Sequence, residues 1–281
     1  MPSKIDWLAG GDTVNFFTGC QNSCGFCYAR RMAHRLAGIK GTVYDRVFWA
    51  TSGSDPDTRI ADGDGNPFAP AFHASVFERE MMRLEWARKP RRVFVGSMGD
   101  MCFEGEALAL DWSGGDRITS DQVQAHTAHF AAEIADRGHT VLVLTKRPDL
   151  LAAGIMWPQN LHLGVSLTDN ASHWRVVALL SRVRDDAMLR WGTRPGKLWA
   201  SVEPLLDPDF DPDCLAGLDW VVVGFQTGPG TRPLYPIHAV QRIRDWCADR
   251  GVPLFCKDTV RRVLSRETWP REYPPITGED A

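Results

Sequence analysis

Short runs of uninterrupted apolar residues alternate along the chain with segments of helical periodicity, and this rhythm limits the possible folds more than any other feature. The runs are Arg92–Gly96, Thr140–Leu144, Leu161–Leu167, Leu198–Val202, Trp220–Gly224 and Pro253–Cys256. Runs of this kind suit strands covered on both faces, and their alternation with helices implies parallel pairing. Helices are expected at Tyr28–Leu36, over 72–88, from Thr119 to Arg137 and at Ile237–Arg250. Thr119-x-x-Gln122 forms a capping box, and Gly138 and Gly251 act as stops. With Thr13–Phe17 as an initial strand, about seven strands result. The expected fold is therefore α/β: a full or partial TIM-like (β/α) barrel of parallel strands. A doubly wound open sheet is the alternative, but no Gly-x-Gly-x-x-Gly turn follows a first strand.

A barrel of this type takes ~250 residues, so the 281 residues read as one domain over 1–265 with an extended tail at 266–281. Residues 51–70, rich in Gly, Asp, Ser and Pro, read as a long surface loop. Asp62, Asp64 and Asn66 within it have some EF-hand character. Pro67 stands where that motif needs glycine and no Glu closes it, which argues against calcium. The net charge of −3 provides no global field toward nucleic acid, although a local groove can still be basic. Nothing near the N-terminus resembles a secretory apolar core, and no apolar run reaches about 18 residues. A soluble, cytoplasmic monomer with no membrane partner is expected.

Three of the seven cysteines, Cys20, Cys24 and Cys27, stand within Gly-Cys-Gln-Asn-Ser-Cys-Gly-Phe-Cys-Tyr at 19–28. Thiolates this close suit a soft metal centre in a reducing compartment. A structural zinc site takes four ligands, and no fourth is local. Cys102, Cys256 or His34 could complete a zinc knot. A 4Fe-4S cluster with one iron open to another ligand also satisfies the count.

In parallel barrels, function gathers at the C-terminal strand ends. Those ends carry Ser97-Met-Gly-Asp100, Thr145-Lys146-Arg147, Ser166-Leu-Thr168-Asp169, Ser201-Val-Glu203-Pro204, Gln226 and Cys256-Lys257-Asp258. Each bears polar groups beyond an apolar strand.

The spacing Cys-x3-Cys-x2-Cys, with Phe26 before the last cysteine, resembles the signature of radical S-adenosylmethionine (SAM) enzymes. Further pieces resemble a phage-associated, largely uncharacterised family of radical-SAM-like proteins: Val-Phe-Val-Gly-Ser-Met-Gly-Asp, Leu-Thr-Lys-Arg-Pro, Leu-Gly-Val-Ser-Leu and Val-Glu-Pro-Leu-Leu. The likeness spans roughly residues 12–258. Members of that family often carry Trp-Asn-Pro before the first cysteine and a longer gap to the second. Val14-Asn15-Phe16 and the three-residue gap depart from that form. More distantly, the strand-end Ser/Asp and Thr-Lys elements resemble those of spore photoproduct lyase relatives, which act on DNA pyrimidines.

The resemblance implies that Cys20, Cys24 and Cys27 hold three irons of a 4Fe-4S cluster at the C-terminal mouth, with SAM chelating the fourth. Phe26 would line the adenine pocket, Asp100 with Ser97 would receive the SAM amine, and Lys146 would meet its carboxylate. Thr145, Ser166 and Glu203 are candidates for the ribose hydroxyls or the sulfonium surroundings. Cys102 and Cys256 are candidates for hydrogen-atom donation or, equally, small buried hydrophobes. An external electron donor of flavodoxin or ferredoxin type is implied, with a nucleobase of DNA or RNA as one substrate class. A peptide or small metabolite is the alternative, as is a non-catalytic zinc or iron–sulfur binding module. Arg175, Arg182, Arg184 and Arg190, with Trp174 and Trp191, read as a solvated helix face or as a basic rim for nucleic acid. His126 and His129 read as packing or solvent-facing residues rather than metal ligands.

Overall fold

The computed structural model describes residues 5–52, 65–113, 115–183, 196–226, 235–264 and 268–274. The strands in chain order are β1 (Asp12–Val14), β2 (Phe17–Thr18), β3 (Ala71–His73), β4 (Arg92–Val95), β5 (Glu106–Leu110) and β6 (Arg117–Thr119). They continue as β7 (Thr140–Thr145), β8 (Leu161–Leu167), β9 (Leu198–Val202), β10 (Trp220–Val223) and β11 (Leu254–Cys256). Seven of them form one sheet in the order β1-β4-β7-β8-β9-β10-β11, parallel at every pairing. A doubly wound sheet reverses its strand order at a switch point; this one runs in chain order throughout. It curls into a half-barrel, a partial TIM-like barrel.

Residue parity along each strand sorts the core, because successive side chains point to opposite faces. Phe94, Leu142, Trp199, Trp220, Val222 and Phe255 face the concave side and cluster with Trp7. Their neighbours Val93, Val95, Val141, Val143, Val221, Val223, Leu254 and Cys256 face the convex side, in the larger core that includes residues of the covering helices. On β8, Gly164 leaves room for the Trp199 ring, which a Cβ there would approach to 2.6 Å.

Trp7, in the short 3-10 turn Asp6–Leu8, plugs the concave floor with ring centroids 4.9 Å from Phe94 and 5.1 Å from Trp199. The same turn reaches the far edge strand, because Asp6 Oδ2 accepts from the Asp258 N–H at 2.7 Å. Of the tail, the described stretch 268–274 pairs with β11 through Cys256 N–H to Pro270 O at 2.8 Å and Glu272 N–H to Leu254 O at 2.9 Å. An edge strand is thereby covered. The Arg92 guanidinium lies 3.9 Å over the Tyr273 ring, tying β4 to that covering tail.

Helices α1 (Tyr28–Leu36), α2 (Val43–Ser52), α3 (Ala74–Glu85), α4 (Ser120–Glu133) and α5 (Trp174–Val183) are joined by Ile237–Arg250 and Asp258–Val263. The capping box at Thr119 and Gln122 is present, and Gly251 caps the helix before it with φ 65°. Two expectations need correction. The initial strand stops at Val14, and Phe17 belongs to a second sheet of order β2-β3-β5-β6. Phe72 and His73, expected to open a helix, belong to strand Ala71–His73 of that sheet, and α3 begins at Ala74. Strands of two to five residues leave too little alternation to be read as periodicity.

Arg175 and Arg182 on α5 are anchored to carbonyls rather than simply solvated: Arg175 Nη1 donates to Ser166 O at 2.7 Å and Arg182 Nη2 to Asp149 O at 2.9 Å. His126 stacks on Phe72 at 5.1 Å, a packing role. Asp62, Asp64, Arg184, Arg190, Trp191 and tail residues 275–281 lie outside the described residues. No helix among the described residues is long and apolar enough to cross a membrane.

Candidate active site

A cavity of about 390 Å³ opens at the C-terminal ends of the half-barrel strands. Strand parity decides much of its wall. The inward rows of β7, β8, β9 and β11 continue beyond the apolar floor as Lys146, Ser166, Ser201, Glu203 and Lys257, all lining the cavity. The cysteine loop supplies the opposite wall with Cys20, Cys24, Phe26 and Cys27. All ten residues expected for metal or cofactor binding line this one cavity: the three cysteines, Phe26, Ser97, Asp100, Thr145, Lys146, Ser166 and Glu203.

The loop is placed by a close backbone approach. Gly19 bridges to Gly99 beyond β4, with Gly19 N–H to Met98 O at 3.0 Å and Asp100 N–H to Gly19 O at 3.1 Å. Gly19 has φ 84°, and a Cβ on it would lie 2.1 Å from Ala69 O, so glycine is required. Cys27 then caps α1, its sulfur accepting from Arg30 N–H at 3.4 Å. Cys20 Sγ accepts from the backbone N–H and the side-chain amide of Asn22, both at 3.3 Å. Cys24 Sγ accepts from Lys146 Nζ at 3.1 Å, and that ammonium also stands 4.9 Å from the Phe26 ring centroid. Each of the three sulfurs thus receives at least one N–H. Burial, and secondarily the Asp100 carboxylate, push the Cys20 thiol up to about 11. A metal centre would have to displace that proton.

Asp100 is the strut behind this wall. It is buried, and its Oδ1 accepts from Thr145 Oγ1 at 2.7 Å and Cys102 N–H at 3.1 Å. Its Oδ2 accepts from Lys146 N–H at 2.9 Å and Asn22 Nδ2 at 3.2 Å. Burial raises its carboxyl above the ordinary value, with the Lys146 N–H and the Thr145 hydroxyl opposing. A carboxylate offers about four lone-pair sites, and all are taken. The structure therefore gives Asp100 a task other than receiving a ligand amine: it joins the cysteine loop to the end of β7. The Thr145 hydroxyl donates to Asp100 and accepts from Arg147 N–H at 2.9 Å, so it too is committed internally. Ser97 Oγ donates to Asn15 Oδ1 at 3.1 Å, and its carbonyl accepts from Tyr28 Oη at 2.6 Å.

At the far end, Lys257 forms an ion pair with Glu203 and stands 4.0 Å from Asp6. Gly224 keeps this pair in place, since a Cβ there would lie 2.9 Å from Lys257 Cδ. Cys102 and Cys256 are not brought to the cavity. Both are buried in the convex core, and burial raises their thiols, that of Cys256 to about 12. For Cys256 the reason is parity: Phe255 faces inward, so its neighbour cannot. Asn22, Tyr28, Lys257 and Gln226 also line the cavity and were not assigned roles by sequence reasoning. Lys257 and Gln226 stand among the polar strand ends of the sequence, and extending the parity of β11 past its end turns Lys257 inward; no sequence signal marks Asn22.

The chain belongs to the DUF5131 family. The family profile, described as "Protein of unknown function (DUF5131)", matches residues 2–265. No curated protein matches the sequence. Among solved structures the chain is similar to a double mutant of spore photoproduct lyase with bound AdoMet and dinucleoside spore photoproduct. That likeness has 13% identity and a TM-score of 0.44, covering 83% of this chain and 59% of the other. A single-site mutant of the lyase gives 13% identity and a TM-score of 0.43, covering 90% and 73%. Likenesses this distant say nothing of what this chain binds.

Proposed function

We propose that the protein is a radical SAM enzyme whose 4Fe-4S cluster is held by Cys20, Cys24 and Cys27. The observation that carries the reading is the common wall: three sulfurs from one short loop line one cavity, each with an N–H donor. The donor set fits a cluster better than a zinc knot. A knot needs four ligands on one point, and the described residues lining the cavity offer three cysteine sulfurs and no histidine. A cluster takes one thiolate per iron and so spaces its sulfurs apart.

Once bound, cluster and SAM supply one-electron cleavage of the sulfonium to a 5′-deoxyadenosyl radical that abstracts a substrate hydrogen. The chain's own residues do the rest. Lys146 offers a point charge beside Cys24 for the SAM carboxylate, and Phe26 offers a ring face for adenine. Ser166 and Glu203 stand across the cavity as hydroxyl and carboxylate partners for the ribose. Trp7, Phe94, Leu144 and Phe225 form an apolar floor that excludes water from the reaction. The electron comes from an external donor of flavodoxin or ferredoxin type.

For the substrate we propose a nucleobase in DNA or RNA. Tyr28, 53% exposed, lines the cavity and offers an aromatic face not assigned to SAM, and stacking on aromatic side chains is how nucleic-acid sites hold bases.

Anaerobic reconstitution should give iron and sulfide with charge-transfer absorbance, and dithionite plus SAM should release 5′-deoxyadenosine. Cys24→Ala should lose both. Zinc in place of iron, or SAM cleavage indifferent to Cys24→Ala, would sink the assignment. Binding to single-stranded and duplex DNA and to RNA at two salt concentrations tests the substrate class, because phosphate contacts weaken steeply with salt.

A further inference from the structure

We infer that Asn22 is a positioning residue that couples the Cys20 sulfur to the buried Asp100 carboxylate and thereby sets the reduction potential of the cluster; this rests on the cluster reading above. The Asn22 amide nitrogen carries two hydrogens and uses both. One goes to Cys20 Sγ at 3.3 Å and the other to Asp100 Oδ2 at 3.2 Å. The backbone carbonyl of the same residue accepts from Arg30 Nη2 at 3.1 Å, so the residue is held from both ends. Arg30 in turn lies over the Phe68 ring at 5.7 Å, and Phe68 O receives the Cys20 N–H at 3.3 Å. The loop that carries Cys20 is thus closed on itself around Asn22.

The direction of the effect follows from charge. Adding an electron to a cluster increases negative charge on its sulfurs, and an N–H aimed at a sulfur stabilises that state. Of the side-chain donors reaching the three sulfurs, Lys146 addresses Cys24 and Asn22 addresses Cys20. The two differ in attachment. Lys146 reaches Cys24 on a long side chain whose ammonium otherwise meets the Phe26 ring, whereas the Asn22 amide is pinned by Asp100, whose remaining bonds run to Thr145, to Lys146 N–H and to Cys102 N–H. Asn22 therefore holds its donor in place whether or not a ligand fills the cavity.

The test uses the full chain, reconstituted anaerobically, with the potential read by EPR-monitored titration against dithionite and folding read by thermal melting. Asn22→Ala should move the couple to more negative potential by roughly tenfold in the reduction equilibrium, about 59 mV for one electron. Asn22→Asp, which replaces both donated hydrogens by an acceptor facing two negative groups, should move it further. Asn22→Ser, which retains one donor, should fall between wild type and alanine. If Asn22→Ala melts as a folded protein but does not load, Asn22→Ser decides: a potential below wild type supports the inference and a wild-type potential overturns it. Wild-type potential in loaded alanine and aspartate variants overturns it. Wild-type protein that takes up no iron–sulfur cluster overturns the underlying reading instead.

Discussion

The Lys146 ammonium lies 3.1 Å from the Cys24 sulfur, joining two residues 122 positions apart in the chain. β7 delivers the lysine and the loop after β2 delivers the cysteine, and the contact exists because Asp100 pins the Lys146 N–H at 2.9 Å. With Cys24 ligating a cluster, a donor from the lysine to its sulfur would be a charge-assisted bond, the strong kind. Lys146→Met should leave iron loading intact and slow 5′-deoxyadenosine release roughly 10- to 100-fold, the kinetic equivalent of one such bond. Lys146→Arg should not restore it, since a planar fork does not replace a point charge. Iron content and deoxyadenosine yield, measured on the same preparations, check both statements.

Asp100→Asn keeps the shape of the strut and removes half of its acceptors. An amide has one oxygen, so its N–H must face one of the two donor pairs. Thr145 and Asn22 can turn away, but the backbone N–H groups of Lys146 and Cys102 cannot. One is left buried and unpaired at a cost of about 1–3 kcal/mol. Chemical denaturation of the apo protein should show that loss, and the variant should load less iron than wild type.

The concave floor depends on Trp7. It is 2% exposed and packs edge-on against Phe94, Trp199 and Trp220. Trp7→Ala should destabilise the fold by about 3–5 kcal/mol and open the cavity downward to water. Denaturation midpoints give the first, and faster quenching of the remaining floor tryptophans by acrylamide gives the second.

Acid should weaken the protein through two histidines that folding desolvates, the buried His73 and the half-buried His162. Burial depresses both His73 and His162 to about 4 from an ordinary 6.5. Between those values the unfolded chain binds more protons than the folded one, so stability is complete above about 6.5 and falls as pH drops toward 4. Each histidine contributes roughly 1.4 kcal/mol per pH unit within that window. Denaturation of the apo protein at several pH values should show the slope, and His73→Gln should reduce it. A pH-independent midpoint between 7 and 5 would contradict this account.

Cys102 and Cys256 both sit in the convex core. Cys102→Ala and Cys256→Ala should therefore release deoxyadenosine from SAM at wild-type yield under conditions where Cys24→Ala releases none.

Much of this was legible in the residues. Six of the seven strands of the half-barrel appear in the sequence as apolar runs, because strands covered on both faces leave few polar positions to blur them; β1, Asp-Thr-Val, does not. The cysteine loop and the polar strand ends were legible for the complementary reason that chemistry stands out against apolar surroundings. The small second sheet was not, since its strands are too short for a period. Nor were the roles of Asp100 and Thr145, whose hydrogen bonds run to residues 45 positions apart.

The order of strands and helices, the capped helix starts and the spacing of three thiols follow from local chemistry, and the chain alone determines them. Which polar group is free and which is already committed is a property of pairs brought together from distant segments. Asp100 became a strut rather than a ligand receptor only because folding placed four donors around it. Cys256 fell on the convex side only because Phe255 took the inward position next to it, and the curl of the sheet gave the two faces different fates.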